Sequence, residues 1–169
     1  RAIPSELIKK IITNDHPYKA YGQRSVLLVP TFERKLYELS DAELTPQRVT
    51  ALARSCEQEV LGVKCAARPL LTVPHLLTGD AACSYQGYLL ANMAVYQTRA
   101  FLTKRHGYLT DNPAIGPELR EHYWKPGNSK THTETVVSLT GSGISGKELA
   151  RVCNQSSAQI WKEHESQMT

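Results

Sequence analysis

His75, Tyr85 and Tyr88 are the residues of this sequence whose types and spacing could do chemistry. They lie in HLLTGDAACSYQGYLL, residues 75 to 90, with a small Gly79-Asp80 loop between the histidine and the tyrosines. Two phenols three residues apart on a helix project from one face, so both hydroxyls could point at one spot. A histidine ending the preceding segment could approach the same spot. Such groups donate hydrogen bonds to a developing oxyanion or hold a peptide backbone. The competing reading is a core stripe of two tyrosines, and spacing alone favours it.

Elsewhere the motifs for simple enzyme assignments are missing. The sequence holds no H-E-x-x-H, no G-x-S-x-G and no phosphate-cradling glycine loop. Glu118 and His122 stand four apart on one helix face, a spacing far more typical of an exposed ion pair than of half a metal site. His132-Thr-Glu134 resembles the H-x-E of zinc deaminases, but no P-C-x-x-C follows it. Cys56, Cys65, Cys83 and Cys153 are scattered, with no C-x-x-C pair, which suits free thiols in a reducing compartment.

The elements that must position these residues read as helices. Pro4, Ser5 and Glu6 suit a first turn, and Leu7, Ile8, Ile11 and Ile12 repeat at helical spacing. A longer helix from about Tyr18 to Leu39 carries Tyr21, Leu28, Phe32 and Leu36, with a kink expected at Pro30. Thr45-Pro46 opens a helix with Val49, Leu52, Ala53, Cys56 and Val60 inward, ending at Gly62. KCAARPLLTVP reads as an extended connection between prolines, leaving His75 at its end. Ala81 to Lys104 is helical again, places both tyrosines on the helix, and stops at His106-Gly107. A further helix runs from Gly116-Pro117-Glu118 to Lys125-Pro126-Gly127. Thr131-x-x-Glu134 and Ser145-x-x-Glu148 read as capping boxes of two short helices, and SSAQIWKEHESQ either continues as helix or trails off. With no convincing strand or repeat, the fold class is all-α with about seven helices.

Size and composition fit one folded segment. The 169 residues suffice for a core, and 41% hydrophobic with 21% charged residues is ordinary for a globular chain. The formal charge of +4 is spread with no basic run longer than Lys104-Arg105, which argues against nucleic-acid binding. No apolar run approaches the roughly 18 residues of a membrane span. The sequence begins without methionine, as expected of a piece of a longer protein.

The stretch HLLTGDAACSYQGYLLANMAVY resembles the zinc oligopeptidase family of thimet oligopeptidase, neurolysin, dipeptidyl carboxypeptidase and mitochondrial intermediate peptidase. The family pattern has the form H-[LI]-x-x-G-x-Y-x-A-x-Y-Y-[SGA]-Y-L; His75 and Gly79 match its first positions, and Tyr85 to Leu89 lie on its Y-Y-[SGA]-Y-L. Gly107 to Leu109 is similar to the G-[VIL]-[LF] of the family, and Lys125 to Ser129 to its [RK]-x-G-G-S turn. IPSELIKKII and Ala53 to Val63 resemble the two helices that precede the motif. The matches are colinear and cover most of residues 3 to 153.

The resemblance implies a C-terminal helical part, residues 1–169 as a single segment, of a larger zincin-type peptidase that hydrolyses short peptides. Its zinc would be held by an H-E-x-x-H helix and a later Glu outside this sequence, so the isolated chain is expected to be inactive and to bind no zinc. By position, Tyr88 would be the catalytic donor to the tetrahedral intermediate, and His75, Gly79 and Tyr85 would bind substrate. The pattern breaks at Asp80 and Ala81, where the family has a tyrosine, and at Gln86, where it has the second tyrosine of the pair. Those departures open the alternative of a family-derived, non-catalytic interaction or structural subunit. The expected partners are short peptides and the missing N-terminal part of the same protein, or a second copy of this chain, since a piece of a cleft exposes apolar surface. Nucleic acid and membrane are not expected, and the compartment is expected to be intracellular, cytoplasmic or mitochondrial.

Overall fold

The runs that carry their own start and stop signals become eight α-helices among the described residues. They are α1 (Ser5–Asp15), α2 (Lys19–Tyr37), α3 (Pro46–Leu61), α4 (Gln86–His106), α5 (Ile115–Leu119), α6 (His132–Thr140), α7 (Lys147–Cys153) and α8 (Ser157–Glu165). The structure, a computed structural model, describes residues 3–66 and 68–166. Ala67, inside the connection read as extended, and Gln167, at the end of the last segment, lie outside them. No strand occurs among the described residues, so the chain is all-α. It divides into two compact units, Tyr18–Leu89 and Arg1–Pro17 with Leu90–Thr169, the division falling within α4.

The unit Tyr18–Leu89 is built on α2 packed against α3. Its core gathers Leu28, Val29 and Phe32 of α2, Ala53, Cys56, Val60 and Leu61 of α3, and Ala66, Leu70 and Val73 of the connection that follows. Phe32 has no exposed surface, and its truncation to alanine would cost about 3–5 kcal/mol. α2 runs through Pro30, while Tyr21, at the start of its expected stripe, remains 40% exposed. At the start of α3 the Thr45 hydroxyl accepts the Arg48 N–H at 3.2 Å. At its end Gly62 takes φ +74°, a left-handed conformation that suits glycine. Lys35 of α2 and Glu59 of α3 form an ion pair across the helix packing.

Two expectations for the segment after α3 need correction. The connection does not stay extended but folds into a single turn at Leu70–Thr72, and two more single turns, Pro74–Leu76 and Gly79–Ala81, follow from its last residue onward. Val73, the residue before Pro74, is extended at φ −73°, ψ 116°, as the proline requires, but the chain turns again immediately after it. The helix expected from Ala81 begins only at Gln86. Ala81 closes the third turn and Cys83 adopts φ +57°, which no α-helix contains.

In the unit of Arg1–Pro17 and Leu90–Thr169, α1 packs against α8. Lys9 stands over the Trp161 ring at 5.4 Å, and His16 Nε2 donates to the Gln155 carbonyl at 2.7 Å. Ile8 and Ile12 are half-buried, whereas Leu7 and Ile11 of the expected apolar face are exposed. Gly107, at φ +85°, ends α4 where His106-Gly107 predicts a stop. The helix expected at residues 116–125 is α5 continued by a π-turn over Arg120–Trp124. Thr131 and Glu134 form the expected capping box of α6. Ser145 and Glu148 do not form one, because the Ser145 N–H is taken by Gln97 and Glu148 pairs with Arg151 at 2.9 Å. α8 has instead a box of its own, Ser156 with Gln159.

Candidate functional site

His75, Tyr85 and Tyr88 come together within the unit Tyr18–Leu89. His75 lies in the turn Pro74–Leu76, Tyr85 immediately precedes α4, and Tyr88 sits in its first turn. The three rings meet edge-on, with centroids 4.9 Å apart for His75 and Tyr85, 5.7 Å for His75 and Tyr88, and 5.0 Å for the two tyrosines. His75 Nε2 and the Tyr88 hydroxyl stand 3.2 Å apart. The other ring nitrogen, His75 Nδ1, is buried and has no hydrogen-bond partner among the described residues.

Burial separates the two tyrosines that spacing alone reads as one core stripe. Tyr85 is half-buried and packs against the unit's core. Tyr88 is 53% exposed. The cluster therefore has an inner ring anchored to the core and an outer phenol at the surface. A phenol in that position can donate its proton to an external oxygen while His75 fixes its orientation. Gly79 is not part of the ring cluster. It is exposed, its carbonyl accepts the Ala82 N–H at 3.4 Å, and a Cβ built there would meet nothing within 4 Å.

Two buried glutamates that the sequence reading passes over hold the loop bearing these residues. Glu57 of α3 has no exposed surface. Its Oε1 accepts the Leu70 N–H at 3.0 Å, and its Oε2 accepts from Arg54 at 2.7 Å. Glu33 of α2 is 3% exposed, and its Oε1 accepts the Cys83 N–H at 2.8 Å. The signal was present in the sequence: Glu33 follows Val29, and Glu57 follows Ala53 and precedes Leu61, all at intervals of four, so each acid occupies an apolar phase of its helix.

Compared with known families, curated proteins and solved structures, the chain matches none. Its chemistry rests on the residues themselves.

The weaker candidates dissolve into local structure. Glu118 does not pair with His122. It accepts from His106 Nε2 at 2.7 Å and lies 3.4 Å from Arg105, whereas His122 Nδ1 contacts the Ser138 hydroxyl at 3.2 Å. Glu134 is committed to the α6 cap, where hydrogen bonds from the Thr131 backbone and hydroxyl hold its carboxyl below the usual carboxylate range. Among the described residues no three His, Cys, Asp or Glu side chains converge where a metal ion could sit. The His106–Glu118 pair supplies two donors beside a guanidinium, which does not fit a zinc site, and no chemical step is assigned to a metal held by this chain. Among the described residues Cys56, Cys65, Cys83 and Cys153 form no disulfide. No helix among the described residues is long and apolar enough to cross a membrane.

Proposed function

We propose that the chain is the C-terminal portion of a zinc metallo-oligopeptidase that hydrolyses short peptides, and that His75, Tyr85 and Tyr88 line its substrate-facing wall. The observation that carries this reading is the half-exposed Tyr88 phenol held at 3.2 Å by His75. In this reading Tyr88 donates to the oxyanion of the tetrahedral intermediate, His75 and Tyr85 fix the phenol and the peptide, and Gly79 leaves room for a substrate backbone. Zinc, which polarises the scissile carbonyl and activates water in this chemistry, belongs to a segment outside these 169 residues. The colinear resemblance from residues 3 to 153 supports the family named in the sequence analysis.

The test is Tyr88→Phe in the complete protein. Because the phenol is half-exposed, the fold should survive, while turnover of a short fluorogenic peptide falls about 10²–10³-fold, the usual loss for one oxyanion donor. An unchanged rate returns Tyr88 to a structural role.

A second reading, a non-catalytic helical subunit derived from the same family, is favoured by one specific observation. Gln86, at a position the family pattern fills with tyrosine, donates its side-chain amide to the Cys83 carbonyl and so caps the turn. Asp80 and Ala81, the other departures, are likewise spent in the turn Gly79–Ala81. The parent coding sequence discriminates the two readings. An H-E-x-x-H and a later Glu upstream favour the peptidase, and their absence favours the subunit.

A further inference from the structure

We propose that Glu33 is the positioning residue that sets Tyr85 and Tyr88 against His75, by holding the left-handed turn at Cys83. The value of that arrangement for substrate binding rests on the peptidase reading above; the positioning itself does not. His75 precedes the turn and the tyrosines follow it, so the conformation at Cys83 decides whether the three rings meet. Cys83 stands at φ +57°, a conformation disfavoured for any residue with a Cβ. Such a residue persists only where its surroundings hold it.

The holding group is Glu33, fifty residues away in sequence, whose Oε1 takes the Cys83 N–H at 2.8 Å. Among the described residues Glu33 forms no ion pair. Its Oε2 is buried without a hydrogen-bond partner among the described residues, and the whole residue is 3% exposed beside the fully buried Phe32. A core position given to an acid whose one described hydrogen bond goes to a loop is explained by what that bond does to the loop. The Gln86 amide on the Cys83 carbonyl fixes the other side of the same residue, immediately before α4 begins.

The experiment compares the chain with Glu33→Leu, Glu33→Gln and the double variant Glu33→Leu with Cys83→Gly, by amide hydrogen exchange and by proton NMR of the His75 and Tyr88 rings. Leucine keeps the core apolar and removes the acceptor. Exchange at Cys83 should accelerate about tenfold or more, the equivalent of one hydrogen bond, and His75–Tyr88 ring contacts should vanish. Protection of Phe32 and Cys56 should stay. Glutamine keeps a carbonyl oxygen at the same reach and should restore both signals. Glycine takes positive φ without strain and should restore the ring contacts in the leucine background. Should the leucine variant not fold, Glu33→Asp, which withdraws the carboxyl by one methylene, should give the same loss at Cys83. Ring contacts and Cys83 exchange unchanged in the leucine or aspartate variant would overturn the proposal. The two claims fail separately: if the rings disperse in Glu33→Leu while Tyr88→Phe leaves hydrolysis intact, the positioning stands and the peptidase reading falls.

Discussion

Replacing Glu57 by alanine leaves the Leu70 N–H without its acceptor in a place that water does not reach, since Leu70 is 1% exposed and Glu57 fully buried. An orphaned buried amide costs about 1–3 kcal/mol. Losing the buried stem adds about 1 kcal/mol. The released Arg54 side chain is 48% exposed and rehydrates, so its lost ion pair adds little. Glu57→Ala should therefore destabilise the Leu70 turn by about 2–4 kcal/mol, whereas Glu57→Gln, which retains a carbonyl for the same N–H, should cost about 1 kcal/mol. Both tryptophans, Trp124 and Trp161, lie in the other unit, so their fluorescence is a poor reporter. Hydrogen exchange at the Leu70 amide reads the bond directly, and the expected cost corresponds to exchange about 30- to 1,000-fold faster in the alanine variant. A Leu70 amide that exchanges within threefold of the parent rate would refute the reasoning. So would a glutamine variant as damaged as the alanine one.

The same logic extends to other sites. Gln97 is 8% exposed; its amide donates to Thr140, Ser142 and Gly143 and its carbonyl accepts the Ser145 N–H at 2.9 Å, so Gln97→Leu should cost about 2–4 kcal/mol. Unaltered protection of the Ser145 amide would contradict it. The depressed pKa of Glu134 means that its cap contributes stability above the unfolded carboxylate pKa and loses it as pH falls through the lower folded value. The Thr131 amide shift should follow that titration, and a midpoint at or above the ordinary carboxylate range would count against the cap. Burial pushes the Cys56 thiol up and it has no exposed surface, so a thiol reagent should modify exposed Cys65 and Cys83 in the folded chain and Cys56 only on unfolding. Early labelling of Cys56 would show that the α2–α3 packing is wrong.

What could be read from the sequence was what neighbouring residues decide. Thr45-Pro46 and Gly62 bound α3, and the Thr131–Glu134 box opens α6, because each cap is completed within a single turn. The failures share one cause. Ala81 and Ala82 are good helix formers, yet the chain uses them before a left-handed Cys83 pinned from fifty residues away. Ser145 has the spacing of a capping box, but its N–H goes to Gln97. In both places a buried side chain from a distant helix outbids local preference. The nearness of His75 to the tyrosines was legible, since a short loop joins them. Which tyrosine faces outward was not, because that depends on α4 starting after Tyr85 rather than before it.

The π-turn at Arg120–Trp124, closed by the Lys125 N–H on the Arg120 carbonyl at 2.8 Å, carries a different consequence. A π-turn is an α-helix that has absorbed one extra residue, and each residue advances a helix by roughly 100°. Here the added residue sets the phase at which Tyr123 meets the Thr98 hydroxyl, 2.5 Å from its own, while Trp124 stays 64% exposed. A single-residue deletion within the turn would restore ordinary α-helical winding and rotate the two aromatics out of those places. For relatives of this chain, a gap of one position at 120–124 would therefore be a change of surface and not a harmless trimming of length.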